Sequence, residues 1–315
     1  MGTVSAAVQR HGRPPIDIIT RVPTDDAPRF DLQSHSTCSD GTLEPAAVVA
    51  AAAAAGVTLL ALTDHDTVAG VGAAQAAAGE HGITLVPAVE ISTVDELGED
   101  FHVLGYGINP ADAALGSCLD VWRADRAARI DRMAALLADL GLPPDRGEIE
   151  RRRAAGLPVG RPHLATAAIQ ANREQLEAEG LAECSAFLEA YLCRDGPAYS
   201  PRTTPTVPEA IEAIHLAGGL AVWAHPFWDL ARDADVTSAL KRFRAAGLDG
   251  VEAFYPTYEA AQTRLLCDAA HRLGLLTTGS ADFHGPDHRR FSRFRAFGLY
   301  GCEPRLGAIG EFAAT

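Results

Sequence analysis

Short apolar runs alternate with longer amphipathic stretches through most of the chain. Thr58 to Thr63 (TLLALT) is apolar between two threonines and too short for a helix, so it predicts a buried strand. Ile83 to Ile91, Phe101 to Tyr106, Leu220 to Ala224, Gly250 to Tyr255 and Leu275 to Thr278 predict further strands, and Asp31 to His35 the end of a first one. Helices are predicted over Pro45 to Ala55, Val68 to Gly79, Pro208 to Ala217, Val236 to Ala246 and Tyr258 to Leu273. Gly56 and the Gly218-Gly219 pair stand where such helices stop. Strand–helix alternation with short connections implies a parallel sheet, closed or doubly wound.

One stretch breaks this rhythm. Residues 116–200 carry helical pattern, rich in Ala, Arg, Glu and Leu, with breakers at Gly141-Leu142-Pro143-Pro144 and Gly156-Leu157-Pro158 and no convincing strand. The chain is therefore expected to divide into a lead-in over residues 1–27, a discontinuous α/β body over 28–115 and 201–305, a helical insertion or lid over 116–200, and a tail over 306–315.

Composition narrows the class. Hydrophobic residues make up 47% of the chain, ample for a core. The longest apolar run, around Val48 to Ala55, is alanine-rich and far short of a membrane span. The first 27 residues lack a continuous apolar segment, so no signal peptide is expected and the location is taken as cytoplasmic. Cys38, Cys118, Cys184, Cys193, Cys267 and Cys302 form no CxxC pair and read as scattered reduced thiols. The formal net charge of −14 argues against a long nucleic acid as partner, though not against short oligonucleotides, and for a small phosphorylated substrate drawn in locally; no membrane partner is expected.

Polar residues then gather at the strand ends. His35 and Asp40 follow the first strand; Asp64, His65 and Asp66 follow the second; Glu90 ends the third; His102 opens the fourth; His225 ends LAVWAH; Asp282 and His284 follow LLTTGS. In a parallel barrel such ends converge on one mouth. Imidazole with carboxylate suits Zn²⁺, Mn²⁺ or Fe²⁺, and lacks both the thiolates of a structural zinc site and the all-oxygen shell of Ca²⁺. A single histidine there is more often an ordinary polar residue, and Asp40 or Asp66 alone reads as a helix cap. The constellation is what carries the metal reading. Arg126 and Arg129, three residues apart on one helix face, are candidates for binding phosphate.

The segments DLQSHSTCSDGTLEP, ALTDHDTVAG, PAVEIS, FHVLGYG, GRPHLA, AVWAHPF and GSADFHG resemble, in order, the motifs of the PHP (polymerase and histidinol phosphatase) phosphoesterases, from about Phe30 to Gly301. The resemblance implies a distorted (β/α)₇ TIM-like barrel with a helical insertion, and two or three divalent ions. It implies a first position at His35, Glu90, Asp282 and Gln33, a second at Glu90, His102 and His225, and a third at Asp40, His65 and His284. It also points to Arg161 and His163 of GRPHLA as substrate-binding residues. The family's His-X-His is here Gln33-Ser34-His35, so the first position is expected to be weak.

The implied reaction is hydrolysis of a phosphate ester by a water that the ions ionise, with Asp64 and Asp66 as candidates for proton transfer. The favoured substrate is a nucleotide phosphomonoester, a nucleoside monophosphate or 3′,5′-bisphosphate. The alternatives are a phosphodiesterase acting 5′ to 3′ on short RNA or on cyclic phosphates, and a non-catalytic metal-binding module.

Overall fold

The apolar runs become seven strands of one sheet, ordered β1 to β7. They are β1 (Phe30–Asp31), β2 (Leu59–Leu62), β3 (Thr84–Val94), β4 (Asp100–Tyr106), β5 (Leu220–Trp223), β6 (Gly250–Phe254) and β7 (Leu276–Gly279). The structure is a computed structural model that describes residues 28–95 and 100–312; the expected lead-in over residues 1–27 lies outside them. The sheet nearly closes into a barrel. Leu32 N donates to Gly279 O at 3.2 Å and His35 N to Phe283 O at 2.8 Å, which joins the β7 side to the chain following β1.

The sheet is not all parallel, as the alternation predicted. Four neighbour pairs are parallel, but β4 runs antiparallel to both β3 and β5. Val94 at the end of β3 pairs with Asp100 at the start of β4, so the chain reverses between them instead of crossing over. This reversal matters for the site. His102 near the start of β4 lies opposite Ser92 near the end of β3, and so reaches the same mouth as the other strands' carboxyl ends.

Helices α1 (Pro45–Ala54) and α2 (Val71–His81) flank the first strands. Pro45 at the start of α1 and left-handed Gly82 after α2 provide the breaks that the chain requires there. Between β4 and β5 come α3 (Ala113–Asp139), α4 (Gly147–Ala154), α5 (Arg161–Ala171), α6 (Arg173–Ala178) and α7 (Cys184–Phe187), then a π-helical turn over Leu188–Leu192. The remaining helices are α8 (Val207–Leu216), α9 (Pro226–Asp229), α10 (Asp233–Ala245), α11 (Ala260–Leu273) and α12 (Ala308–Glu311). Thr206 and Glu209 form a capping box at the start of α8.

The long helix α3 belongs to two cores. Leu115, Leu119 and Trp122 pack into the cluster that contains Phe101 and Trp223 of the sheet. Ile130, Met133 and Leu137 pack into a separate cluster with Leu164, Phe187 and Leu192. One buried stripe at three- and four-residue spacing runs through both halves, and Arg126 and Arg129 occupy it where the two cores meet. Both are buried. Among the described residues no helix is long and apolar enough to cross a membrane, and the six cysteines are free thiols.

Candidate metal centre

The strand-end histidines and carboxylates meet at one point. Glu90, wholly buried at the end of β3, is its centre. Its Oε1 lies 2.7 Å from His102 Nδ1 and 3.3 Å from His225 Nε2. Its Oε2 lies 3.1 Å from His35 Nε2 and 3.5 Å from His65 Nδ1. Asp282 Oδ1 is also 3.1 Å from His35 Nε2, while Tyr255 donates to Asp282 Oδ2 at 2.6 Å. Asp40 faces His65 Nε2 at 3.7 Å and His284 Nε2 at 3.6 Å. Two groups can each converge on a cation: His35, Asp40, His65 and His284, and His65, Glu90 and His102.

Local backbone geometry aims these side chains. Asp66, His225 and Asp282 all adopt positive φ, which costs a non-glycine residue of order 1–3 kcal/mol and clusters at functional sites. A side chain at Gly41 would put its Cβ 2.2 Å from the His35 carbonyl oxygen, so only glycine lets the loop carrying Asp40 fold back over His35.

The donor set fits a divalent cation. His35 Nε2, Asp40 Oδ1, His65 Nδ1 and Asp282 Oδ1 are buried without a hydrogen-bond partner, a cost that a shared cation removes. Burial holds the His65 imidazole down to about 3, so at neutral pH it is uncharged and one ring nitrogen keeps a lone pair for a metal. Burial opposes ionisation of Glu90, but the surrounding imidazoles, with His102 and His225 within hydrogen-bond reach, outweigh it and hold the carboxyl well below its usual range.

Gln33, expected as a weak ligand, has both amide atoms engaged by neighbours. Its amide nitrogen donates to Glu90 Oε2 at 3.0 Å, and its carbonyl oxygen, the only atom that could ligate a metal, takes the Ser280 hydroxyl at 3.3 Å. Ser280 also lies 2.5 Å from Glu252 Oε1. Burial pushes the Glu252 carboxyl up to about 8, although the Ser280 hydroxyl that donates to it works the other way. The Ser280 hydroxyl therefore lies between Glu252 and the Gln33 carbonyl, while the Gln33 amide nitrogen is turned to Glu90. Sequence reasoning missed Glu252. Its other oxygen, Oε2, accepts from His225 N at 2.9 Å, which fixes the sharp turn after β5. A lone glutamate in the apolar run GVEAFY was the available signal.

Asp64 and Asp66, considered for proton transfer, are both engaged by the loops and helix around the site. Asp64 accepts from Ser36 N at 2.7 Å, Ser36 Oγ at 2.6 Å and Ser39 Oγ at 2.7 Å, pinning the loop between His35 and Asp40. Asp66 pairs with Arg126 Nη1 at 2.6 Å and accepts from Ser92 N at 2.8 Å. Burial would raise its carboxyl, but Arg126 overrides burial and lowers it, so Asp66 has no proton to give at neutral pH.

The proposed phosphate-binding arginines are likewise engaged. Arg126 also donates to Ser92 Oγ at 2.8 Å, and Gly160 is small enough to let its guanidinium pass. Arg129 donates to Ser200 O at 2.6 Å and pairs with Asp100 at 2.9 Å. Neither is a free surface arginine. Arg161 lies 3.4 Å from Asp100 and is partly exposed at the start of α5. His163 accepts from Gly160 N at 3.1 Å and sits close enough to Arg152 and Asp40 to feel both charges; burial, with Arg152, lowers it to about 4. Replacing Arg126 with alanine should leave Asp66 buried and unpaired and cost about 3–5 kcal/mol of stability, read from urea unfolding. A loss under about 1 kcal/mol would show that the pair is not needed.

A nearly closed seven-stranded α/β barrel with a His/Asp/Glu cluster at its mouth defines a metal-dependent phosphoesterase. The PHP domain model matches residues 31–143. The chain is 33% identical over 258 residues to a 5′-3′ exoribonuclease of Haemophilus influenzae, covering 82% of this chain and 90% of that one. It is 32% identical to a 3′,5′-nucleoside bisphosphate phosphatase of Chromobacterium violaceum, covering 82% and 87%. A solved structure described as an amidohydrolase from Chromobacterium violaceum, with bound SO4 and no metal, superposes with a TM-score of 0.76 at 28% identity, covering 90% of this chain and 97% of that one. The chain belongs to the PHP-domain family.

Proposed function

We propose that this chain hydrolyses a phosphomonoester of a nucleotide at two tightly held divalent ions, Mn²⁺, Zn²⁺ or Fe²⁺. Glu90, His102 and His225 hold one ion. Asp40, His65 and His284 hold the other. A third position at His35, Glu90 and Asp282 lacks one ligand because Gln33 replaces an imidazole. The observation that carries the reading is Glu90, a buried carboxylate with each oxygen facing different imidazoles. Ions bound there lower the pKa of a water and offset charge on the phosphate. The chain's own contribution is placement. Tyr255 occupies one oxygen of Asp282 and leaves the other directed at His35. Asp64 fixes the loop that presents Asp40.

A small substrate is favoured over a polymer. Arg152 of α4 donates to the Thr37 and Ser39 carbonyls, and His163 of α5 lies beside Asp40. The helical segment thus rests directly on the loop carrying a proposed ligand, which restricts the mouth. The related bisphosphate phosphatase supports this substrate class; the related exoribonuclease keeps short RNA as the second reading.

A screen with Mn²⁺ added tests the choice, using nucleoside monophosphates, 3′,5′-bisphosphates, cyclic phosphates and 5′-phosphorylated short RNA. The highest kcat/KM is expected on a nucleotide monoester. Higher kcat/KM on RNA would establish the exonuclease reading, and no turnover in metal-loaded protein would establish a non-catalytic module.

A further inference from the structure

Beside the metal-ligand cluster lies a second, positively charged group that includes an arginine without a matched partner. Arg202 stands in the segment between the π-helical turn and α8 and is 6% exposed. Its Nε and Nη1 have no hydrogen-bond partner. Its nearest carboxylate oxygen, Asp100 Oδ1, is 3.9 Å from Nε, too far for a hydrogen bond. Asp100 Oδ2 is already shared by Arg129 at 2.9 Å and Arg161 at 3.4 Å. Arg126 is committed to Asp66. Among the described residues, four guanidinium groups therefore share two carboxylates, in a chain whose net charge is −14. The Asp66 charge also acts on Arg202, but that carboxylate is already paired with Arg126 at 2.6 Å.

The position of Arg202 is rigidly set. Ser200 accepts from Arg129 and Arg132 of α3, Thr203 donates to Asp125 at 2.7 Å, and Val94 N donates to Pro205 O at 2.8 Å. Burying a guanidinium with two unpartnered nitrogens costs several kcal/mol, so stability alone gives no reason to hold one there. Its surroundings place it next to the metal ligands. Asp100 precedes His102 by two positions on β4, so the two side chains share a face about 7 Å apart. Ser92, which accepts from Arg126, lies opposite His102.

We propose that Arg202, with the partly exposed Arg161 that reaches the same Asp100, forms an anion subsite for a phosphate other than the one hydrolysed. The substrate then carries two phosphate groups on one nucleoside. A terminal phosphate monoester, with a charge of about −1.5 to −2 at neutral pH, matches the excess positive charge better than the single charge of an RNA diester. Arg202 did not emerge from the sequence, because SPRTTPT has no periodicity to mark one residue as buried.

The inference rests on the phosphoesterase reading for its substrate but not for its anion, so the test separates the two. Metal-loaded wild type, Arg202→Met and Arg202→Lys are compared on adenosine 3′,5′-bisphosphate and on p-nitrophenyl phosphate, which has one phosphate. Arg202→Met should lower kcat/KM for the bisphosphate at least tenfold more than for the monoester, mainly through KM, with partial rescue by lysine. In sulfate-free buffer its urea midpoint should equal or exceed that of wild type, and added sulfate should raise the midpoint of wild type alone. A lower midpoint in sulfate-free buffer, with equal losses on both substrates, would make Arg202 a structural partner of Asp100 and overturn the proposal. An equal selective loss on 5′-phosphorylated short RNA would overturn the assignment to a terminal phosphate. If wild type hydrolyses no ester, the functional reading fails while the sulfate response still decides whether the subsite exists.

Discussion

Glu90→Gln is expected to strip most of the bound metal and to lower turnover at least about 100-fold, the upper end of what is lost when only a partner of a ligand is removed. The substitution keeps shape and size but removes the charge between two sets of imidazoles. Glu90 Oε1 serves His102 and His225, and Oε2 serves His35 and His65, so a single change weakens both proposed ion positions. It also places two amides against each other, because Gln33 already donates to Oε2. Metal per chain by elemental analysis, with kcat on the best substrate and a circular-dichroism check of folding, tests this. A folded Glu90→Gln protein that keeps its metal and turnover would show that the ions, if any, lie elsewhere.

Gln33→His should raise the number of tightly held ions from two to three per chain. In the wild type the Gln33 side chain supplies an N–H toward Glu90 and keeps its carbonyl on Ser280, so no lone pair faces the first position. Imidazole there would join His35 and Asp282 and complete a set of three protein ligands besides Glu90. A competing change accompanies it: Ser280 loses its acceptor, though it stays paired with Glu252. Calorimetric titration of both forms with Zn²⁺ is the test. Three equally tight ions in the wild type would mean that Gln33 rotates to ligate or that another residue substitutes for it.

Much of the site was legible because strand ends carry it. In a barrel, residue type at the carboxyl end of an apolar run is a positional statement, and His35, His65, Glu90, His225 and Asp282 each follow such a run. The direction of β4 was not legible from FHVLGYG, since an apolar run has no polarity; only the short gap between Ile91 and Phe101 hinted at a hairpin. The burial of Arg126 and Arg129 could have been read, because both continue the apolar stripe Leu115, Leu119, Trp122 on α3. Two arginines on a core-facing stripe imply acidic partners, and the buried Asp66 and partly buried Asp100 are those partners. The Gln33 orientation depends on Glu252 and Ser280, which are distant in sequence and meet only after β6 and β7 pack side by side.

Metal content measured together with activity, before and after chelation, bears most directly on the central claim. The account predicts two ions per chain in purified protein, loss of phosphate-ester hydrolysis when a chelator removes them, and return of activity with Mn²⁺ or Zn²⁺. Full hydrolytic activity in metal-free protein would contradict it.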